Sequence, residues 1–156
     1  MLKLGEIFCG AGGFAEGASQ AGFKHIWGSD NHTDSCISFE KNQKCTTYCM
    51  DVQEFTKTYF MKRLLKEHGK INGLLFGFPC NDFSILGKQK GLKGSYGPLY
   101  KYAVKYLTIH EPDVFVAENV SGLESANENK AFDKILKAFI KAGYNLNVHK
   151  YHFEKY

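Results

Sequence analysis

FCGAGGF, residues 8–14, closes a short apolar run and opens an amphipathic one. Ahead of it KLGEIF (3–8) reads as a short strand; behind it residues 13–21 have helical spacing, and Gly22 stops them. A glycine-rich turn between a strand and a helix lets a ligand approach bare backbone, and the helix's first N–H groups offer donors to an anionic group. A tight turn with no ligand reads the same way at this point. A dinucleotide turn would carry G-x-G-x-x-G, but here Ala15 takes the last place. The spacing disfavours NAD and leaves another adenosine cofactor open.

Outward from this turn the chain keeps alternating. HIWGS (25–29) is a second strand, residues 33–41 a helix stopped by Asn42, and CTTYCM (45–50) a third strand. Residues 52–68 hold Phe55, Tyr59, Phe60, Leu64 and Leu65 at helical period and end at Gly69, which predicts one helix. INGLLFGF (71–78) is a fourth strand, followed by a loop (81–97) with four Gly and three Lys. Pro98 stands at the first position of a helix that Pro112 terminates. DVFVAENV (113–120) is a fifth strand, apolar enough to be covered on both faces. An amphipathic helix (129–143) follows, and 144–153 starts a sixth strand. This alternation predicts a doubly wound, mostly parallel α/β sheet of the Rossmann-like kind in a single domain, 1–156.

At 156 residues the chain can bury a real core, and 44% hydrophobic content separates it from disordered chains. A net charge of +4 permits a polyanion partner without arguing for one. No apolar run reaches the roughly eighteen residues that a membrane span needs, and MLKLGEIFCGAGG lacks the apolar segment of a signal peptide. The expected location is therefore the cytoplasm, on the nucleoid in a bacterium, or the nucleus in a eukaryote. The cysteines number five, at 9, 36, 45, 49 and 80, an odd count that fits free thiols, and their spacing offers no zinc site.

Two further groups carry chemistry. Asp30, at the end of the second strand and 20 residues beyond Gly10, is placed to accept ribose hydroxyl hydrogens; Asp51 ends the third strand on the same rim. Cys80 leaves the fourth strand within GFPCNDFS (77–84), and Glu118 leaves the fifth. Neighbouring parallel strands lie about 5 Å apart, so a thiol and a carboxyl there share one pocket. The apolar residues 114–117 predict enclosed surroundings for Glu118, which favours its protonated form. A neutral carboxyl beside a thiolate suits covalent attack on a ring whose nitrogen must gain a proton.

With these motifs in hand, the chain resembles the DNA cytosine-5 methyltransferases. The FxGxGG turn at 8–13, the Pro-Cys loop at Pro79–Cys80 and the ENV triplet at 118–120 follow the family's motifs in order and spacing. The resemblance implies an S-adenosylmethionine-dependent enzyme that methylates C5 of a cytosine flipped out of DNA. It makes Cys80 the nucleophile at C6 and Glu118 the residue that protonates N3. It places Phe8, Gly10, Gly12, Asp30, Asp51 and Leu99 around the cofactor, with Pro79, Ser84 and Asn119 supporting the pocket. A tRNA cytosine-5 methyltransferase of the same fold, or a non-catalytic cofactor-binding module, are the competing readings. Asn81, Tyr96, Asn31 and His32 depart from the family's usual residues. HKYHFEKY (149–156) stops before the family's Arg segment and target recognition domain. The expectation is a fold incomplete at its C-terminal end: one subunit of a split enzyme, a truncated gene product or a fragment, with the missing half, as a second polypeptide, docking beside 145–153.

Overall fold

The structure, a computed structural model, describes residues 1–79, 99–120, 122–125 and 130–152. They fall into two compact units. The first holds Met1–Pro79 and Leu99–Glu118; the second holds the described residues from Asn119 onward.

The first unit is built on strands β1 (Lys3–Ile7), β2 (Lys24–Asp30), β3 (Thr46–Cys49), β4 (Gly73–Gly77) and β5 (Val114–Glu118). Their order is β3-β2-β1-β4-β5, and every pairing is parallel. The chain walks outward from β1 to β3 and then returns to the other flank of β1. The order therefore reverses between β1 and β4, the place where open α/β sheets leave a crevice at the carboxyl ends of their strands. This is the Rossmann-like sheet that the alternation predicts.

Helices α1 (Gly13–Gln20), α2 (Thr33–Gln43), α3 (Val52–Phe55), α4 (Thr58–His68) and α5 (Tyr100–His110) complete the unit. Their rings explain why both faces of the sheet are covered. On one face Trp27 of β2 is fully buried, with Phe55 of α3 and Tyr106 of α5 at centroid distances of 5.2 and 5.6 Å. Gly5 makes room for that indole: a Cβ there would stand 2.2 Å from the ring. On the other face Phe39 of α2 packs with Cys9 and with Ala15 of α1. Burying an aromatic side chain of this size contributes about 1.5–3 kcal/mol.

Two expected boundaries move. The run 52–68 is two helices, because Thr56 is wholly buried and its hydroxyl donates back to the Val52 carbonyl at 2.8 Å. Such back-bonding competes with helix propagation, and Lys57, with extended backbone at ψ 142, starts α4 afresh. Helix α2 runs past Asn42 and ends on Lys44 at φ 50, whose N–H donates to the Glu40 carbonyl.

Strand β5 departs from its predicted burial. Val114 and Val116 are 56% and 48% exposed, because β5 is the terminal strand of the five. An apolar groove of about 320 Å³, lined by Leu4, Phe14, Phe23, Leu74, Val114 and Val116, lies beside α1.

In the second unit α6 (Gly122–Ser125) precedes α7 (Lys130–Lys141). Helix α7 buries Ala131, Ile135 and Phe139, one residue per turn of a single face, and exposes Lys134, Lys137 and Lys141. Residues 144–152 belong to no strand, contrary to the sequence expectation. Alternating side chains make a segment strand-capable, but a strand exists only where a second backbone exchanges N–H and C=O with it. Among the described residues no helix is long and apolar enough to cross a membrane.

Candidate cofactor cradle and catalytic rim

The turn after β1 combines three left-handed residues with hydrogen bonds to β2 and α2. Phe8 leaves the strand at φ 61, a left-handed conformation that bulky residues rarely adopt and that tends to mark functional turns. The Cys9 N–H donates to the Ser29 carbonyl at 3.1 Å and keeps the turn attached to β2. Gly10 and Gly12 follow at φ 51 and 97. The Gly12 N–H closes onto the Cys9 carbonyl at 3.0 Å, and the Gly12 carbonyl accepts the first helical bond, from Glu16, at 2.9 Å. Asn42 of α2 braces the turn by donating Nδ2–H to the Ala11 carbonyl at 3.2 Å.

Asp30 joins this turn directly. Its Oδ2 accepts the Gly10 N–H and its Oδ1 the His32 N–H, each at 2.9 Å. Each carboxylate oxygen retains a lone pair beyond these bonds, enough to accept a hydroxyl hydrogen apiece. A Cβ built at Gly10 or Gly13 would meet no atom within 4 Å, so the turn's backbone borders open space. No side chain caps α1, whose N-cap is Gly12, and helix N-termini of this kind accept anions. Bare backbone, uncapped donors and a fixed carboxylate together fit an adenosine cofactor with an anionic end.

Asp51 has a local task that its spacing did not reveal. Its Oδ1 accepts the Gln53 N–H at 2.7 Å and makes it the N-cap of α3. The neighbouring Met50 N–H donates to the Asp30 carbonyl at 2.9 Å, which sets the Asp51 segment beside Asp30. Asp51 is exposed. Leu99 is half-buried with helical dihedrals at the start of α5.

At the other flank of the switch point, Gly77 of β4 is the register partner of Glu118 of β5. A Cβ at Gly77 would stand 3.1 Å from Glu118 Oε2, so the carboxylate lies against the last residue of β4. Glu118 is exposed, not enclosed as the apolar run 114–117 suggested. Glu118 is the last residue of the terminal strand, so the apolar residues before it do not enclose it. Phe78 is buried, its ring 6.3 Å from that of Tyr100, and Pro79 is half-buried. Cys80 and Ser84 lie outside the described residues. Asn119, in the second unit, accepts the Val120 N–H on Oδ1 at 3.0 Å.

The described cysteines divide by burial. Burial pushes the Cys45 thiol up to about 11 and Cys36 up to about 12, and it raises Cys9 further still. Those three thiols are protonated at neutral pH and are poor nucleophiles. Cys49 is exposed.

One buried polar pair had no counterpart in the sequence reading. Glu6 of β1 and His25 of β2 are both buried, with Oε2 and Nε2 3.1 Å apart. Burial raises the Glu6 carboxyl above its ordinary value, and His25 pulls it part of the way back. The available signal was an acid in the middle of an otherwise apolar strand.

Residues 2–156 match the family model of the C-5 cytosine-specific DNA methylases. The chain is 44% identical over 173 residues to Type II methyltransferase M.BbvI of Brevibacillus brevis, covering 99% of this chain and 45% of that one. It is 36% identical over 154 residues to Type II methyltransferase M.NgoFVII of Neisseria gonorrhoeae, covering 99% and 40%. Among solved structures it resembles a prophage-encoded E. coli protein described as a DNA modification methyltransferase. That match has a TM-score of 0.74 and 22% identity, over 90% of this chain and 38% of the other. At that identity the likeness is one of fold. The chain spans less than half the length of these proteins.

Proposed function

Because the chain belongs to the C-5 cytosine-specific DNA methylases, we propose that residues 1–156 are the cofactor-binding, nucleophile-bearing portion of a DNA cytosine-5 methyltransferase. The methyl donor is S-adenosylmethionine and the acceptor is C5 of a cytosine flipped out of the duplex. The observation that carries this reading is the arrangement around the switch point. The Asp30-pinned glycine turn lies at the end of β1, and Glu118 lies against Gly77 at the end of adjacent β4.

S-adenosylmethionine supplies a methyl group activated on a sulfonium. Asp30 holds the ribose hydroxyls with its remaining lone pairs, and Asp51 receives the adenine amino group. The Phe8–Gly13 turn and the first N–H groups of α1 take the amino-acid end, and Leu99 packs on the cofactor. Cys80 thiolate bonds to C6 of the cytosine while Glu118 gives a proton to N3, which leaves an electron pair on C5 to take the methyl group. A base then removes the C5 proton, the Cys80–C6 bond breaks, and the N3 proton returns to Glu118. Pro79, Ser84 and Asn119 hold the pocket.

Both relatives are Type II methyltransferases, and we assign this chain the same setting, the modification arm of a restriction-modification pair acting on DNA in the bacterial cytoplasm. The relatives are more than twice as long as the part matched here. Target recognition and full activity belong to that remaining length, in the same polypeptide or in a second one.

The test is covalent trapping. The chain, complemented by the remaining portion, is incubated with S-adenosylmethionine and duplex DNA carrying 5-fluorocytosine, whose C5 substituent cannot leave. An adduct resistant to SDS is expected. It should vanish in Cys80→Ser and persist in single Ser variants of Cys9, Cys36, Cys45 and Cys49. An adduct on another cysteine would overturn the assignment.

A further inference from the structure

Two thiols flank Asp30 behind the cofactor cradle. Cys49, the last residue of β3, is the register partner of Asp30 across the β2–β3 ladder. Cys36, in the first half of α2, donates its thiol hydrogen to the Asp30 carbonyl at 3.4 Å. The Cys49 sulfur lies 4.0 Å from Thr33 Oγ1 at the start of the same helix. Both thiols therefore lie against the Asp30 backbone and the first turn of α2. Their exposure differs: Cys49 faces solvent, whereas Cys36 is 5% exposed. A thiol reachable from solvent, with a buried one on the other side of the same Asp30 backbone, is the arrangement of an attacked and a resolving sulfur.

We propose that Cys36 and Cys49 are an oxidisable pair, closed to a disulfide by hydroperoxides, and that closure weakens the grip of the cradle on its cofactor. The second half of this statement rests on the cofactor reading given above; the first half does not. In the first step the Cys49 thiolate attacks the peroxide. An S–O bond forms, the O–O bond breaks, and water leaves once the departing hydroxide is protonated. In the second step the Cys36 sulfur attacks the Cys49 sulfur. The S–S bond forms, the S–O bond breaks, and water leaves with the Cys36 proton. Two thiols lose two electrons, and hydrogen peroxide becomes two waters. Closure takes two electrons from the pair, so it stays open until a peroxide oxidises Cys49.

Closure reaches the cradle through Asp30. The disulfide removes the thiol hydrogen that Cys36 gives to the Asp30 carbonyl. It also draws the start of α2 toward β3, and that helix is preceded by His32, whose N–H holds Asp30 Oδ1. Met50 continues to bond the same carbonyl from its other side, so the strand pairing survives while the carboxylate loses its setting.

The purified full chain is treated with hydrogen peroxide and digested without reductant, and its linked peptides are identified by mass spectrometry. A peptide pair joined at Cys36 and Cys49 is expected, reversible by dithiothreitol. It should be absent from Cys36→Ser and Cys49→Ser; Cys36→Ser should instead accumulate a sulfenic acid on Cys49 that dimedone traps. Linkage through other cysteines, or none, overturns the pair. Titration with S-adenosylmethionine should show affinity about three- to tenfold weaker after oxidation, the effect of one neutral hydrogen bond, restored by dithiothreitol and insensitive to peroxide in both variants. A disulfide that forms without changing the affinity overturns the coupling to the cradle. Reduced protein that does not bind the cofactor at all refutes the cofactor reading instead, and leaves the linkage result standing.

Discussion

The Gly10 amide donates to Oδ2 of Asp30 across 2.9 Å, so the turn after β1 and the end of β2 are one hydrogen-bonded structure. In the proposed cofactor reading Asp30 acts twice, once on the protein and once on S-adenosylmethionine. Asp30→Ala should remove both actions and weaken S-adenosylmethionine binding by about 10- to 150-fold, from about 1.5–3 kcal/mol for a bond to a charged group. Asp30→Asn keeps one acceptor oxygen and should lose less. Isothermal titration orders the variants, and unchanged affinity in Asp30→Ala would take Asp30 out of the site.

The two glycines of the turn should fail differently. Gly12 has φ 97, and a Cβ there would stand 3.1 Å from the Phe39 ring, so Gly12→Ala should cost about 1–2 kcal/mol of stability from backbone strain alone. Gly10 has φ 51 and open space at its Cβ position. Gly10→Ala should cost about 1 kcal/mol of stability and, if the turn holds S-adenosylmethionine as proposed, show its larger effect on cofactor affinity, because the new methyl projects into the open space beside the turn. Urea denaturation paired with titration separates the two effects.

Gly77 lies against Glu118, the proposed proton donor. A methyl at this position would press on Glu118 Oε2 from 3.1 Å. If Glu118 supplies the proton to N3, Glu118→Gln should lower the methyl-transfer rate of the complemented enzyme by about 10²–10⁴-fold. Gly77→Ala should lower it in the same direction by less, with little change in stability. Single-turnover rates with labelled methyl donor measure both, and a Gly77→Ala enzyme of full rate would place the productive carboxyl elsewhere.

The Glu6–His25 pair makes stability depend on pH. Burial raises the Glu6 carboxyl above its ordinary 4.5, while His25 opposes the shift and Asp30 adds to it. A raised carboxyl favours the fold while protonated, so its contribution is complete below pH 4.5 and is lost as pH rises through the folded value. Glu6→Gln, nearly isosteric and uncharged, should flatten the decline in stability from pH 4.5 upward. Denaturation midpoints across that range decide it; parallel profiles for the two proteins would show that Glu6 does not titrate in the fold.

Much of this molecule was legible locally. Apolar runs interrupted by glycines at 10, 12, 22 and 69 mark where strands and helices begin and end, because a helix period and a left-handed turn are properties of a few neighbouring residues. The same is true of the spacing from Gly10 to Asp30, which pointed to that acid before any partner was visible. The break at Thr56–Lys57 was not legible, since it depends on Thr56 being buried and forced to bond backward. Nor was the cap that Asp51 makes on α3, because a carboxylate at the end of a strand suits a helix cap and a ligand equally.

What the amino-acid sequence determined by itself is the order of elements and the chemistry placed at their ends. Tertiary structure alone decided which ends meet. Sheet order brought β4 back beside β1 and set Gly77 against Glu118; it also left Val114 and Val116 exposed on the terminal strand. Residues 144–152 stayed out of the sheet despite their alternation. The physical reason is common to all three. Strand pairing, burial and the environment of a carboxylate are set by atoms distant in the chain, and no local period encodes which distant backbone arrives.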